Sequence, residues 1–205
     1  MIVPTGGKGV ETILVKMTVT KSGSCLLLCA GLALAAAAPA PRLSPPFEIK
    51  RVGAEKPLQL SSYRGKPVAL IFISTTCPHC QELTTKLVPM AKEYGARVQF
   101  LECAINETAE KDLPGFIQQY QTPFPVGFSD QATVNNYLQW SFAQIFYVPH
   151  IVLLDAKGVI QGDYAGDSDF ITNAAANIHT ELDKMLRARA PAAKKTAART
   201  PATKN

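Results

Sequence analysis

Two cysteines separated by two residues constrain this chain more than any other feature of its sequence. The motif Cys77-Pro78-His79-Cys80 follows an apolar run, Val68 to Ile73, and precedes an amphipathic segment, Leu83 to Tyr94. This order predicts a buried strand, a turn and a helix, with the first thiol at the helix N-terminus. The macrodipole and the free backbone N–H groups at that end favour the thiolate over the thiol. The arrangement therefore suits disulfide exchange, in which one sulfur attacks and the second resolves.

A structural zinc site is the main alternative interpretation of two closely spaced cysteines. Such a site needs four ligands, most often thiolates or imidazoles. The other cysteine pair, Cys25 and Cys29, lies in an apolar segment typical of export signals, and Cys103 alone does not complete a four-thiolate set. We therefore predict a redox pair and no metal centre.

The residues around this motif resemble the exported thioredoxin-like proteins of the TlpA/ResA type. The similarity spans about Phe47 to Leu186, and its motifs stand in the order of that family. These are Leu58-Gln-Leu-Ser-Ser-Tyr-Arg-Gly-Lys-Pro67, the apolar run with Cys-Pro-His-Cys, Phe124-Pro-Val-Gly-Phe-Ser-Asp130, and Tyr147-Val-Pro-His-Ile-Val-Leu-Leu-Asp-Ala-Lys-Gly158. The resemblance implies an α/β protein with a thioredoxin fold, a mixed sheet of four to five strands, helices on both faces and a TlpA-like insertion.

The resemblance also implies roles for the residues of the motif. Cys77 is the expected nucleophile, Cys80 the resolving thiol, and Pro149 a cis-proline that faces them. Pro78 and His79 are expected to tune the redox potential, because an imidazolium beside the helix N-terminus stabilises the reduced thiolate. This dipeptide is the one seen in DsbA-type oxidants, whereas ResA-like reductants carry Glu-Pro. The direction of electron flow therefore stays open.

Other positions also depart from the family pattern or interrupt an apolar segment. Thr76 stands where a Trp precedes the first cysteine, and Ile71 stands where cytosolic thioredoxins bury an Asp. Glu102 interrupts a predicted strand at a position where thioredoxins carry a polar residue behind the active site. It is a candidate proton relay, and an acid at a solvated edge is the alternative. Cys103 is expected to be a small buried hydrophobe, and His150, after the expected cis-proline, an ordinary strand residue.

Three functions are compatible with these residues. The leading hypothesis is an extracytoplasmic thiol-disulfide oxidoreductase, an enzyme without a cofactor that exchanges disulfides with protein cysteines. A membrane-bound redox protein is a further candidate partner. The alternative is a copper metallochaperone, because soft thiolates suit Cu(I). Copper-binding relatives space their cysteines by three residues and add a downstream His, for which only His150 is near the right place. The third is a peroxidase similar to peroxiredoxins. Leu70 argues against it, because the peroxidase motif has a Pro seven residues before the reactive thiol.

The chain is expected to contain one globular domain between two terminal segments. Residues 1–38 carry an apolar run that ends in small residues, which indicates a signal peptide or an uncleaved anchor, with Met1 or Met17 as the start. Residues 39–46 are a predicted Pro-rich linker and residues 47–189 the thioredoxin-like domain. Residues 190–205 lack large apolar side chains and are predicted to be a disordered basic tail. The predicted location is periplasmic or otherwise extracytoplasmic, with membrane anchoring as the alternative.

The basic net charge of +5 does not belong to the predicted domain. Residues 47–186 carry 11 Lys and Arg against 15 Asp and Glu, so the excess of positive charge lies in the terminal segments. The sequence contains no motif for nucleic-acid recognition. We therefore expect no nucleic-acid partner.

Periodicity predicts the remaining elements of the domain. A strand over 98–105 should run parallel to the 68–73 strand, because a crossover helix joins them. Helices over 114–120 and 131–139 flank a predicted short strand at Val126. Strands over 150–154 and 159–164 form a predicted hairpin, and an apolar stripe from Ile171 to Met185 indicates a final helix.

Overall fold

The computed structural model describes residues 40–196, with side chains described as far as residue 188. The predicted signal peptide or anchor at 1–38, with Cys25 and Cys29, lies outside the described residues. So does the end of the predicted tail, residues 197–205.

A six-stranded mixed sheet forms the centre of the domain, in the order β1-β8-β7-β4-β5-β6. Its strands are β1 (Arg42–Leu43), β4 (Val68–Ile73), β5 (Gln99–Ala104), β6 (Val126–Phe128), β7 (His150–Leu154) and β8 (Val159–Tyr164). Strands β4, β5 and β6 are parallel, whereas β7 runs antiparallel to β4 and to β8. A separate two-stranded sheet pairs β2 (Glu48–Ile49) with β3 (Leu58–Gln59). The predicted parallel pair and the predicted hairpin are both confirmed.

The sheet has one strand more than the predicted four to five. The additional strand is β1, which lies inside the predicted Pro-rich linker and pairs antiparallel with Ile160 and Val159 of β8. A salt bridge holds it there, because an Arg42 guanidinium nitrogen lies 2.6 Å from Asp163 Oδ2. The sequence pattern did not predict this strand because two residues have no periodicity to detect. Directly after this linker, Glu48 and Ile49 form β2 of the small sheet.

Strand β4 divides the core into two layers. All six of its side chains are at most 3 % exposed, which explains why its sequence is a continuous apolar run. Ala69, Ile71 and Ile73 pack on one face with the first and last helices. Val68, Leu70 and Phe72 pack on the other face with residues of α3 (Gln131–Leu138). Helices therefore cover both faces of the sheet, as predicted.

Helix α1 (Pro78–Tyr94) begins and ends at residues suited to those positions. Cys77 is its N-cap in extended conformation, and Pro78 occupies the first turn, where its missing N–H removes no hydrogen bond. Gly95 is the C-cap with φ of 54°, a conformation that glycine adopts at low cost. The helix therefore ends directly after the amphipathic segment Leu83 to Tyr94. Its N-cap at Cys77 confirms that the first thiol lies at the helix N-terminus.

The remaining helices are α2 (Ala109–Tyr120), α4 (Asp169–Thr172) and α5 (Ala174–Thr196). Helix α5 extends seven residues into the segment predicted to be a tail. The Ala and Lys residues of this segment are good helix formers, whereas Pro191 lies inside the helix and opposes it. Among residues 40–196, no helix is both long and apolar enough to cross a membrane.

Candidate functional site

The two thiols of the motif differ sharply in accessibility. Cys77 is half-buried at the N-cap of α1, and its Sγ lies 3.8 Å from the carbonyl oxygen of Val148. Cys80 is fully buried one turn further along. That burial raises the pKa of the Cys80 thiol far above its usual range, and the neighbouring Cys77 and Glu102 add to the effect, while a backbone hydrogen bond from Ser74 opposes it. One sulfur is therefore accessible to a partner, and the other is shielded.

Pro149 lies at the same edge of the sheet as the thiols. Strand β7 runs antiparallel to β4, so the start of β7 and the end of β4 meet at one edge. The Val148–Pro149 peptide bond is cis, in agreement with the prediction from the family resemblance. Pro149 and Val148 line a groove of about 580 Å³ between α1 and the start of α5, together with His79 and Ile171. The Val148 backbone therefore lies both beside Cys77 and along this groove.

The residues between the two cysteines occupy the exposed first turn of α1. Pro78 and His79 are both exposed, and His79 faces the groove. A side chain there is able to change the electrostatic environment of the helix N-terminus without disturbing the core. The predicted redox-tuning role of these two residues stays a prediction.

Glu102 is buried behind the active-site helix. Its side chain on β5 is 1 % exposed, so the alternative of a solvated edge is wrong. The Thr84 hydroxyl of α1 lies 2.7 Å from Glu102 Oε1 and 3.0 Å from the carbonyl oxygen of Cys80. Glu102 Oε2 has no hydrogen-bond partner among the described residues. Burial raises the pKa of Glu102 to about 8, against a smaller opposing effect of the Thr84 hydrogen bond.

Glu102 lies beside the position at which cytosolic thioredoxins bury an Asp, on the neighbouring strand. Ile71, which stands at that Asp position, is the β4 residue directly paired with Glu102. The carboxyl group is thus supplied by the neighbouring strand, on the face that α1 covers. A buried carboxyl group therefore lies behind α1 although position 71 is apolar.

A polar network, which no sequence motif indicated, fixes the loop before Cys77. The Thr75 hydroxyl donates to Asp112 Oδ2 at 3.0 Å, and the Thr75 N–H donates to Asn106 Oδ1 at 3.0 Å. Gln81 Nε2 donates to the Thr75 carbonyl at 2.8 Å, and Thr108 Oγ1 donates to the same Asp112 oxygen at 2.5 Å. The hydrogen bonds from Thr108 and, less strongly, from Thr75 lower the pKa of Asp112. Polar residues after two adjacent parallel strands were the signal that could have revealed it.

His150 belongs to the opposite face of the sheet. It is fully buried beside Phe72, and its Nε2 lies 2.6 Å from Asp163 Oδ1. Helix α1, with both thiols, packs on the other face. The structure therefore does not bring His150 to the thiols, where the copper hypothesis needed it. Within residues 40–196, no group of three or more His, Cys, Asp or Glu side chains is arranged to hold a metal ion.

Cys103 lies in the core and contributes only packing. It is fully buried on the β5 face opposite Glu102, next to Leu101 of the same apolar layer. Burial raises the pKa of its thiol far above the usual range. The expectation of a small buried hydrophobe is confirmed.

Comparison with known proteins identifies the family of the chain. The model of the AhpC/TSA family matches residues 40–162, more than half of the sequence, so the chain belongs to that family. A search of curated protein sequences gives no significant match.

Solved structures with the same architecture are distant in sequence. A thiol:disulfide interchange protein of the thioredoxin family from Chlorobium tepidum is 21 % identical, with a TM-score of 0.59, over 73 % of this chain and 99 % of that chain. The thioredoxin domain of a thiol-disulfide oxidoreductase from Bacteroides vulgatus is 17 % identical, with a TM-score of 0.57, over 73 % of this chain and 99 % of that chain. These similarities establish the thioredoxin fold.

Proposed function

We propose that this member of the AhpC/TSA family is an extracytoplasmic thiol-disulfide oxidoreductase of the TlpA/ResA type that acts on protein cysteines. The observation that carries the proposal is the asymmetry of the thiols. Cys77 is accessible at a helix N-terminus beside the cis-proline, whereas Cys80 is buried one turn behind it. A nucleophile needs access and a stabilised thiolate, and a resolving thiol needs protection from outside partners.

The reaction proceeds in two exchange steps. The Cys77 thiolate attacks one sulfur of a partner disulfide, so that a Cys77–partner disulfide forms and the other partner sulfur leaves as a thiolate. Cys80 then loses its proton and attacks Cys77 Sγ, which forms the Cys77–Cys80 disulfide and releases the second partner thiolate. The partner gains two electrons and the dithiol loses two. The same steps run in reverse when the protein acts as an oxidant.

Glu102 is proposed to accept the proton of Cys80. The raised pKa of Cys80 makes the second step dependent on a base, and bulk water does not reach a fully buried thiol. A carboxyl group with a pKa of about 8 exchanges protons readily near neutral pH. Thr84, which contacts both Glu102 and the Cys80 carbonyl, holds the carboxyl group in place. A positioned base of this kind contributes about 10²-fold or more.

The proposed location outside the cytoplasm rests on the N-terminal sequence. The apolar run in residues 1–38 and the small residues after it are typical of export signals. An oxidising compartment also suits a protein that exchanges disulfides. The names of two structurally similar proteins, which call them a thiol:disulfide interchange protein and a thiol-disulfide oxidoreductase, agree with the proposed reaction.

Trapping of mixed disulfides tests the proposal. Cys80→Ser should accumulate disulfides between Cys77 and partner proteins, because the second step is removed, whereas Cys77→Ser should form none. The matched control is Cys103→Ser in each background, which removes a thiol that plays no part. Equal trapping by the Cys77→Ser and Cys80→Ser variants, or trapping by Cys77→Ser alone, would contradict the assignment.

The reduction potential of the Cys77–Cys80 pair decides the direction of electron flow. A potential of about −120 mV would mark a DsbA-like oxidant, and a potential of about −270 mV would mark a thioredoxin-like reductant. Equilibration with glutathione and with dithiothreitol, read by the mass change on thiol alkylation, measures it.

A further inference from the structure

An uncharged loop with three exposed apolar side chains leads into the cis-proline. It comprises residues 139–149, between α3 and β7, and we call it the apolar loop. Phe142 and Ile145 are each 69 % exposed, and Tyr147 is 45 % exposed. From residue 131 to residue 154 the sequence contains no Lys, Arg, Asp or Glu. Large apolar side chains grouped at the surface commonly mark a binding site.

Aromatic contacts underneath keep the apolar loop in this conformation. Phe146 stacks on the His150 ring with centroids 5.0 Å apart, and Trp140 packs edge-on against both rings. His150 is in turn held by Asp163 at 2.6 Å. Two aromatic residues of the loop therefore point inward and anchor it. The other apolar side chains are presented to solvent by a fixed backbone.

The apolar loop lies at the thiol edge of the sheet. Tyr147 immediately precedes Val148, whose carbonyl oxygen is 3.8 Å from Cys77 Sγ. A Cβ added to Gly166, a residue of the groove beside Pro149, would lie 2.5 Å from the Tyr147 carbonyl carbon. Tyr147 thus borders the groove that adjoins the motif. A partner whose cysteine reaches Cys77 therefore approaches the Tyr147 end of this loop.

We infer that the apolar loop binds the apolar residues that flank the reacting cysteine of a polypeptide substrate. This inference rests on the proposed function and names the substrate class of that site: incompletely folded chains, in which apolar residues next to cysteines are accessible. The charge pattern disfavours two other occupants. The loop has no basic residue to attract an anionic membrane, and residues 47–186 carry an excess of acidic groups that opposes contact between two copies.

The experiment compares two peptides that differ only beside their single cysteine. In one peptide Leu and Phe flank the cysteine, and in the other Ser and Asn flank it. Each cysteine forms a disulfide with thionitrobenzoate, and the released thionitrobenzoate thiolate is coloured. The reduced full-length protein is mixed with each, and the rate measured with Cys77→Ser is subtracted. The double variant Phe142→Ser/Ile145→Ser removes the exposed side chains without touching the core. Leu43→Ser is the matched control, because Leu43 is 74 % exposed at the opposite edge, where β1 pairs with Val159.

The wild-type protein should react about tenfold faster with the apolar peptide, the gain expected from partial burial of two side chains. The double variant should lose that preference, and Leu43→Ser should keep it. An absent preference in the wild-type protein, or one retained by the double variant, would overturn the inference. Binding of the wild-type protein to anionic vesicles, or formation of a dimer, would also overturn the inference if the double variant abolished it.

A small disulfide separates this inference from the proposed function. Reaction of the wild-type protein and the double variant with 5,5′-dithiobis(2-nitrobenzoate) should be equal, because the reagent is too small to need the loop. If the two proteins react equally with this reagent and the wild-type protein shows no preference between the peptides, the inference alone is overturned. A wild-type rate no higher than that of Cys77→Ser overturns the proposed function, and the inference with it.

Discussion

Glu102→Gln is expected to remove most of the pH dependence of folding stability between pH 5 and pH 9. The Glu102 carboxyl group is 1 % exposed and one of its oxygens has no hydrogen-bond partner among the described residues. Burial raises its pKa from an ordinary value of 4.5 to about 8. The folded state therefore binds this proton more tightly than the unfolded state does. The stability that this group contributes is fully present below about pH 4.5 and is lost as the pH rises through about 8.

The size of the effect follows from the two pKa values. A difference of about 3.5 pH units corresponds to about 5 kcal/mol at 1.36 kcal/mol for each unit. This is an upper limit, because water penetration and side-chain movement relieve part of the cost, and we expect roughly 2–4 kcal/mol. A domain of this size has a total stability of roughly 5–15 kcal/mol, so the loss is easily measured.

Urea unfolding at pH 5, 7 and 9 provides the test. The amide that replaces the carboxyl group in Glu102→Gln is neutral at every pH. The free energy of unfolding of this variant should therefore exceed that of the wild-type protein at pH 9 and approach it at pH 5. Glu55→Gln is the matched control, since Glu55 is exposed, and its curve should follow that of the wild-type protein. Parallel curves for Glu102→Gln and the wild-type protein over this range would refute the reasoning.

Three further predictions concern the packing of a glycine, a second glycine inside a helix and the loop before the motif. Gly127→Ala should lower the free energy of unfolding by about 1–3 kcal/mol, because its Cβ would overlap the Lys50 carbonyl oxygen. Gly115→Ala in helix α2, with open space around it, should raise the same quantity by about 0.5–1 kcal/mol in urea unfolding. Thr75→Val should raise the pKa of Asp112 towards its ordinary range, because a hydrogen bond to the carboxylate is lost; an unchanged pKa in an NMR titration would contradict the network.

Local sequence determined the strand, turn and helix that carry Cys77 and Cys80. Strand β4 coincides with its apolar run, and α1 ends with the amphipathic segment at Tyr94. The hairpin strands β7 and β8 have the predicted bounds as well. Apolar runs, helix caps and tight turns act through neighbours in the chain, so the sequence is sufficient to predict them. The relation of Cys77 to the helix N-terminus follows from such local rules.

Only the tertiary structure decided the environments of the charged residues. Glu102 could have been solvated or buried, and the packing of α1 over β5 buries it. His150 follows the cis-proline, yet strand alternation directs it to the face opposite the thiols, where Asp163 binds it. The sixth strand, β1, is held in the sheet by a salt bridge between Arg42 and Asp163, which is 121 residues away in the sequence. Burial and long-range ion pairs depend on which segments meet in the folded chain, and a periodicity of two or 3.6 residues carries no information about that.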